Sequence, residues 1–185
     1  MIWHRSNRAS RTGAKLADRH YSRRTPGSPQ FVPPAPAVIL VTDCGRAVWV
    51  TTAPKFSDHA WPGAWMCTIF RNEGAGLSSE LIRQAVAATR WRWPTVPAPG
   101  MITFVDPLKI KPTQKPGWCF RKAGFREVGR TKGGHGRNPL LVLQLLESGM
   151  PDPQAALGET LPLFPQHNHP ITTLQPNNPT QGNTP

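Results

Sequence analysis

The chain has 185 residues and carries 22 Lys+Arg against 10 Asp+Glu, a formal charge of +12. That length holds one domain with a sizeable core plus some tail. Its three cysteines, Cys44, Cys67 and Cys119, are scattered with no CxxC pair, and no apolar run reaches membrane-spanning length; this excludes a disulfide scaffold, a zinc knuckle and a membrane-spanning helix, and suits a reducing cytoplasm.

The charge is uneven. Residues 1–24 hold Arg5, Arg8, Arg11, Lys15, Arg19, Arg23 and Arg24 against the single acid Asp18, whereas residues 147–185 hold three acids and no Lys or Arg. A basic domain with a basic arm suits a polyanion, either nucleic acid or a phosphate-bearing cofactor; a solvated surface is the plainer alternative. The first 18 residues have few apolar positions and no clear period, so they are expected to be a flexible basic arm. An Arg- and Ser-rich, acid-poor start superficially suits a transit peptide, but the basic run continues into "RHYSRR" with no cleavage break. Cytoplasmic residence is the expectation.

The predicted elements follow in chain order. "FVPPAPA" (31–37) is too proline-rich for a helix or central strand. "AVILV" (37–41) and "AVWVTT" (47–52) are apolar runs joined by the turn "DCGR", a hairpin. "AWMCTIF" (64–70) is the next strand. A helix follows, with Leu77, Leu81, Ile82, Ala85, Val86 and Thr89 along one face, Ser78 or Ser79 as cap and Pro94 as stop. "MITFV" (101–105) is a buried strand halted by Asp106-Pro107. "PGWCFRKAGF" (116–125) reads as a short helix, "REVGRT" (126–131) as a strand, and "PLLVLQLL" (139–146) as the last strand. Residues 147–185 carry eight prolines and many Asn, Gln and Thr, and are expected to be a disordered tail. The domain is therefore expected over 19–146, a mixed α/β (α+β) unit.

One stretch carries chemistry. "FRNEGAGLSSELIRQAVAATRW" (70–91) places R-x-x-G-x-G between a strand and a helix. Glycines let bare backbone approach a ligand, and a helix N-terminus adds unpaired N–H groups, so the pattern suits a pyrophosphate. It also suits a plain strand–helix turn, and Glu73 and Glu80 would oppose an anion if they faced it. It is neither a Walker loop nor GxGxxG.

R-x-x-G-x-G before an amphipathic helix, followed downstream by "CFRKAGFREVG" (119–129), resembles the GNAT-fold acyltransferases over residues 37–146. The resemblance implies a mostly antiparallel central sheet flanked by helices. It also implies acetyl-CoA (an acyl-CoA) as cofactor, its pyrophosphate lined by Phe70, Arg71, Asn72, Gly74, Ala75, Gly76, Leu77 and Ser78. Strand 64–70 would splay from strand 101–105 to admit the pantetheine arm. Many members protonate the leaving thiolate with a Tyr in the later helix; here that position is Phe120. The lone tyrosine, Tyr21 in "RHYSRR", could supply the acid, could stack on a base, or could simply pack an arm segment; His20 stands beside it. Asp106 is the best-placed carboxylate for a base, or an ordinary Asp-Pro turn residue; His59 and Asp58 come second.

Within that superfamily, the early "HYS", "FRNEG…SSELI" and "PGWCFRKAGF…GRTKGG" look most similar to phage proteins of the Mom type, which modify adenine in DNA. That implies DNA as partner, tracked through the basic arm and the loops "LKIKPTQK" and "GRTKGGHGR", with the base flipped out of the duplex. Two other readings stay open: an acyltransferase for a protein or small-molecule amine, and a non-catalytic nucleic-acid binder that keeps the fold. No metal is expected; His167-x-His169 lies in the tail without a third ligand.

Overall fold

A computed structural model describes residues 1–53, 60–110, 112–133 and 138–159. Seven strands form one sheet: β1 (Trp3–Arg5), β2 (Ala37–Thr42), β3 (Ala47–Thr52), β4 (Trp65–Asn72), β5 (Met101–Val105), β6 (Arg126–Arg130) and β7 (Leu141–Leu145). Their order is β1-β2-β3-β4-β5-β7-β6. All neighbours run antiparallel except β4 and β5. A parallel pair needs a crossover, and helix α2 (Ser78–Arg92) provides it.

The strands β2 and β3 are apolar at nearly every position because both faces of the sheet are covered. Period-two alternation divides them: Val38, Leu40, Ala47 and Trp49 join one cluster, while Ile39, Val41, Val48 and Val50 join another. The first cluster packs against Leu81, Ile82, Ala85 and Val86 of α2 and Phe120 of α3 (Trp118–Lys122). The second packs against Leu16 and Ala17 of α1 (Arg11–Asp18), together with Phe31 and Val32. The result is a three-layer mixed α/β domain.

The first 18 residues are not a flexible arm. Strand β1 pairs with β2 (Trp3↔Thr42, Arg5↔Leu40), and Trp3 is fully buried with its indole N–H donating to Leu81 O at 2.9 Å. Helix α1 is capped by Ser10, whose Oγ accepts from Gly13 N–H at 3.0 Å. Gly13 is required by packing, since a Cβ there would lie 2.9 Å from Phe31 Cζ. A three-residue edge strand and a two-turn helix are too short to leave a periodic signature in a basic stretch.

The tail boundary also moves. Residues 147–159 belong to the domain: Met150 and Ala156 are buried, Gln154 N–H donates to Ala87 O at 3.2 Å, and Leu157 N–H donates to Trp3 O at 2.8 Å. The Leu157 bond covers the free edge of β1, and the Gln154 bond ties the segment to α2. Residues 160–185, with His167 and His169, lie outside the described residues, as do Asp58 and His59. No helix among the described residues is long and apolar enough to cross a membrane.

Candidate functional site

Strands β4 and β5 pair for only three residues, Trp65↔Met101, Met66↔Ile102 and Cys67↔Thr103. Across the other edge of β4, Val50 faces Ile69 and Thr51 faces Cys67, so Thr68 has no counterpart in β3. That bulge bends β4 where its ladder with β5 ends. A narrow cleft opens between the two strands, lined by Cys67, Thr68, Phe70, Thr103 and Phe120 and by His20 and Tyr21. Cys67 is buried, and burial pushes its thiol far above the ordinary range, so it stays a neutral thiol.

The segment after α1 closes on this cleft. Tyr21 Oη donates to Phe104 O at 3.3 Å and accepts Asp106 N–H at 3.3 Å, which ties it across the end of β5. Burial raises the Tyr21 phenol above its usual pKa. His20 stacks on the Tyr21 ring, centroids 4.5 Å apart and planes at 27°. His20 Nδ1 accepts Ser22 N–H at 3.3 Å and lies 2.7 Å from Ser22 Oγ, leaving the ring proton to Nε2. Burial first, then the charge of Arg71, lowers the His20 imidazole to about 4, so it is neutral at physiological pH.

Asp106 stands at the cleft end of β5, but its carboxylate has a structural duty. It caps the 3-10 turn Pro107–Lys109 by accepting Leu108 N–H at 3.0 Å. Phe120 is a core aromatic, edge-on to Phe70 (5.8 Å) and Phe125 (5.3 Å). It therefore borders the cleft without a phenol, and Tyr21 brings one to the same cleft from elsewhere in the chain.

The glycine stretch sits at the far end of β4. Arg71 and Asn72 belong to the strand, opposite Val48 and Ala47. Asn72 organises the turn: its Oδ1 accepts Gly74 N–H (3.1 Å) and Ala75 N–H (2.8 Å), and its Nδ2 donates to Gly76 O (2.8 Å) and Ser78 Oγ (2.9 Å). Gly74 and Gly76 have φ of 88° and 142°, backbone that side chains rarely adopt. Two expectations change. The N–H groups of Gly74 and Ala75 face Asn72 rather than outward. Neither Ser78 nor Ser79 caps α2, whose N-cap is Leu77 with no side-chain bond. Among the described residues, nothing accepts from the N–H groups of Gly76, Leu77, Ser78 or Ser79. A Cβ on Gly76 would meet nothing within 4 Å, so this rim is open. Open donors on a helix N-terminus form a place for an anion.

Glu73 does not oppose that charge. Arg19 grips it with two bonds (2.7 and 2.6 Å) and Arg71 with a third (2.8 Å), and these bonds hold its carboxyl down at about 2. Arg71 Nη1 also donates to Arg19 O at 2.6 Å. The loop and the His20–Tyr21 segment are thereby one hydrogen-bonded unit. Sequence reasoning missed Arg19, which was visible only as one charge in a basic run, and Thr68, for which a bulge leaves no signal. Glu73 was noticed with the opposite sense. Among the described residues, no group of three His, Cys, Asp or Glu could hold a metal.

Comparison with protein-family models, with curated proteins and with solved structures returned no match.

Proposed function

We propose that the chain is an acyl-CoA-dependent N-acyltransferase of the GNAT type, acting in the Mom manner on an adenine amine of DNA. The observation that carries the reading is the cleft between β4 and β5, the sheet's one parallel pair, with an open glycine loop and helix N-terminus following β4. The sheet order β1-β2-β3-β4-β5-β7-β6 supports it. So does the short ladder of β4 and β5, which ends after three residue pairs.

Open amides at a helix N-terminus suit a pyrophosphate. The outward N–H groups of Gly76, Leu77, Ser78 and Ser79 would take the pyrophosphate, with Phe70 and Thr68 bordering the pantetheine path. Bound there, acyl-CoA would supply an activated thioester for transfer to the acceptor amine. The protein's part is to hold and orient both partners and to move protons. Tyr21, kept protonated by its raised pKa, would give the leaving sulfur a proton in place of the phenol that Phe120 lacks. The Asp106 carboxylate would accept the amine proton, since His20 spends Nδ1 on Ser22 N–H and carries its own proton on Nε2. The bulge at Thr68 offers strand backbone to polarise the thioester carbonyl.

Calorimetric titration with acetyl-CoA tests the first half. The wild type should bind and Gly76→Trp should not, whereas a wild type without affinity ends the acyltransferase reading. Nucleoside mass spectrometry on DNA from expressing cells tests the second half; unmodified adenine excludes the Mom-like acceptor and leaves a protein or small-molecule amine.

A further inference from the structure

A wider groove lies beside the cleft, between α3 and β6. Its lining includes Trp118, Lys115, Arg121, Arg130 and Glu127. Trp118 is half exposed at the start of α3, although its neighbours Phe120 and Ala123 are buried and already anchor that helix. Cations crowd the indole: Lys122 Nζ lies 4.7 Å and Lys115 Nζ 5.8 Å from its centroid. The one carboxylate in the lining among the described residues, Glu127, is taken by Arg121 at 2.5 Å. Arg130 and both lysines have no carboxylate partner among the described residues. Cation–π pairing accounts for the lysines over the ring. It does not account for a groove lined by a half-exposed indole together with Lys115, Arg121 and Arg130.

An aromatic face offers stacking to any base, and cations on either side offer charge to its phosphates; together they form the usual platform for single strands. Inside a duplex each base face is already covered, so stacking on Trp118 requires an unpaired base. We infer that this groove binds an unpaired nucleic-acid strand, one base stacking on Trp118 while Lys115, Lys122 and Arg130 meet the adjoining phosphates. Pro107 lines the groove and its neighbour Asp106 bonds to Tyr21 of the cleft, so the two openings adjoin. That the strand is the acceptor rests on the acyltransferase reading; that it binds here rests on Trp118 and its cations alone.

Fluorescence anisotropy of the full chain with a short labelled oligothymidylate, without acyl-CoA, tests the inference. Trp118→Ala should weaken binding about tenfold or more, with the salt dependence unchanged, and Trp118→Phe should keep most of the affinity. Lys115→Gln and Lys122→Gln should each flatten the log–log salt slope by about 0.7. Oligouridylate in a parallel arm identifies the strand, since binding of either one supports the groove and the tighter names DNA or RNA. Three results overturn it: Trp118→Ala binding like the wild type, a duplex of the same sequence binding as tightly as the single strand, or polyglutamate displacing the strand as well as unlabelled oligonucleotide does. Acetyl-CoA titration of the same proteins separates the two readings. Lost strand binding with CoA binding intact isolates the groove, while strand binding without CoA affinity leaves the groove and removes the acyltransferase.

Discussion

Arg19 and Glu73, 54 residues apart in sequence, meet in a two-point ion pair at 2.7 and 2.6 Å. Arg71 completes the contact on the same carboxylate. The pair fastens the end of α1 to the glycine loop, so the Tyr21 segment and the anion rim are positioned together.

The first prediction follows from that contact. A carboxyl held at about 2, against an ordinary 4.5, contributes stability that is present above pH 4.5 and is lost as pH falls toward 2. Glu73→Gln should therefore melt lower than the wild type at neutral pH, and the two curves should converge near pH 2. Melting followed by circular dichroism across that range checks it. A constant gap at all pH values would contradict the ion-pair assignment.

His20 titrates in a separate window. Its imidazole is lowered to about 4 from 6.5, so the unfolded chain takes up a proton that the folded chain refuses. Its contribution is complete above pH 6.5 and declines as pH drops toward 4. His20→Phe keeps a ring against Tyr21 but cannot protonate. It should flatten the pH dependence of stability between about 6.5 and 4.5 while leaving the neutral-pH melting point within a few degrees. Histidine NMR should show the wild-type ring uncharged at pH 6.

Tyr21→Phe keeps the ring stack and loses the bonds to Phe104 and Asp106. Under the proposed chemistry, thiol release from acetyl-CoA in the presence of DNA should fall by about 10²–10⁴, with acetyl-CoA affinity unchanged. The alkaline limb of the wild-type rate profile should lie above pH 10, because the phenol's pKa is raised, and should vanish in the variant. An unchanged rate would remove Tyr21 from proton transfer.

Trp3 is the most exacting test of the N-terminal segment. It is fully buried and bonded to both α2 and residue 157. Trp3→Ala should cost roughly 3–5 kcal/mol in urea unfolding. Deleting residues 1–19 should abolish cooperative melting, an outcome that removal of a flexible arm would not produce.

Much of the framework was legible in the sequence. Strands β3 and β5 coincide with the runs 47–52 and 101–105, because unbroken β-branched and aromatic stretches bounded by turns have few other ways to bury themselves. Helix α2 announced itself by its 3.6-residue stripe. The N-terminal elements did not. β1 owes its place to one indole fitting under α2, and α1 to a glycine that admits Phe31. Those are contacts between distant segments, and they impose no period on the segment that makes them.

The site divides along the same line. Sequence by itself determined that the strand "AWMCTIF" leads through R-x-x-G-x-G into a helix, because local chain geometry dictates where glycine and a helix N-terminus fall. Only tertiary structure decided which amides of that turn remain open, since Asn72 uses two of them. It alone brought Tyr21 to the cleft bordered by Phe120 and turned Glu73 from an opposing charge into a neutralised strut. Each of these depends on which side chains meet across the sheet, and packing settles that where local propensity cannot.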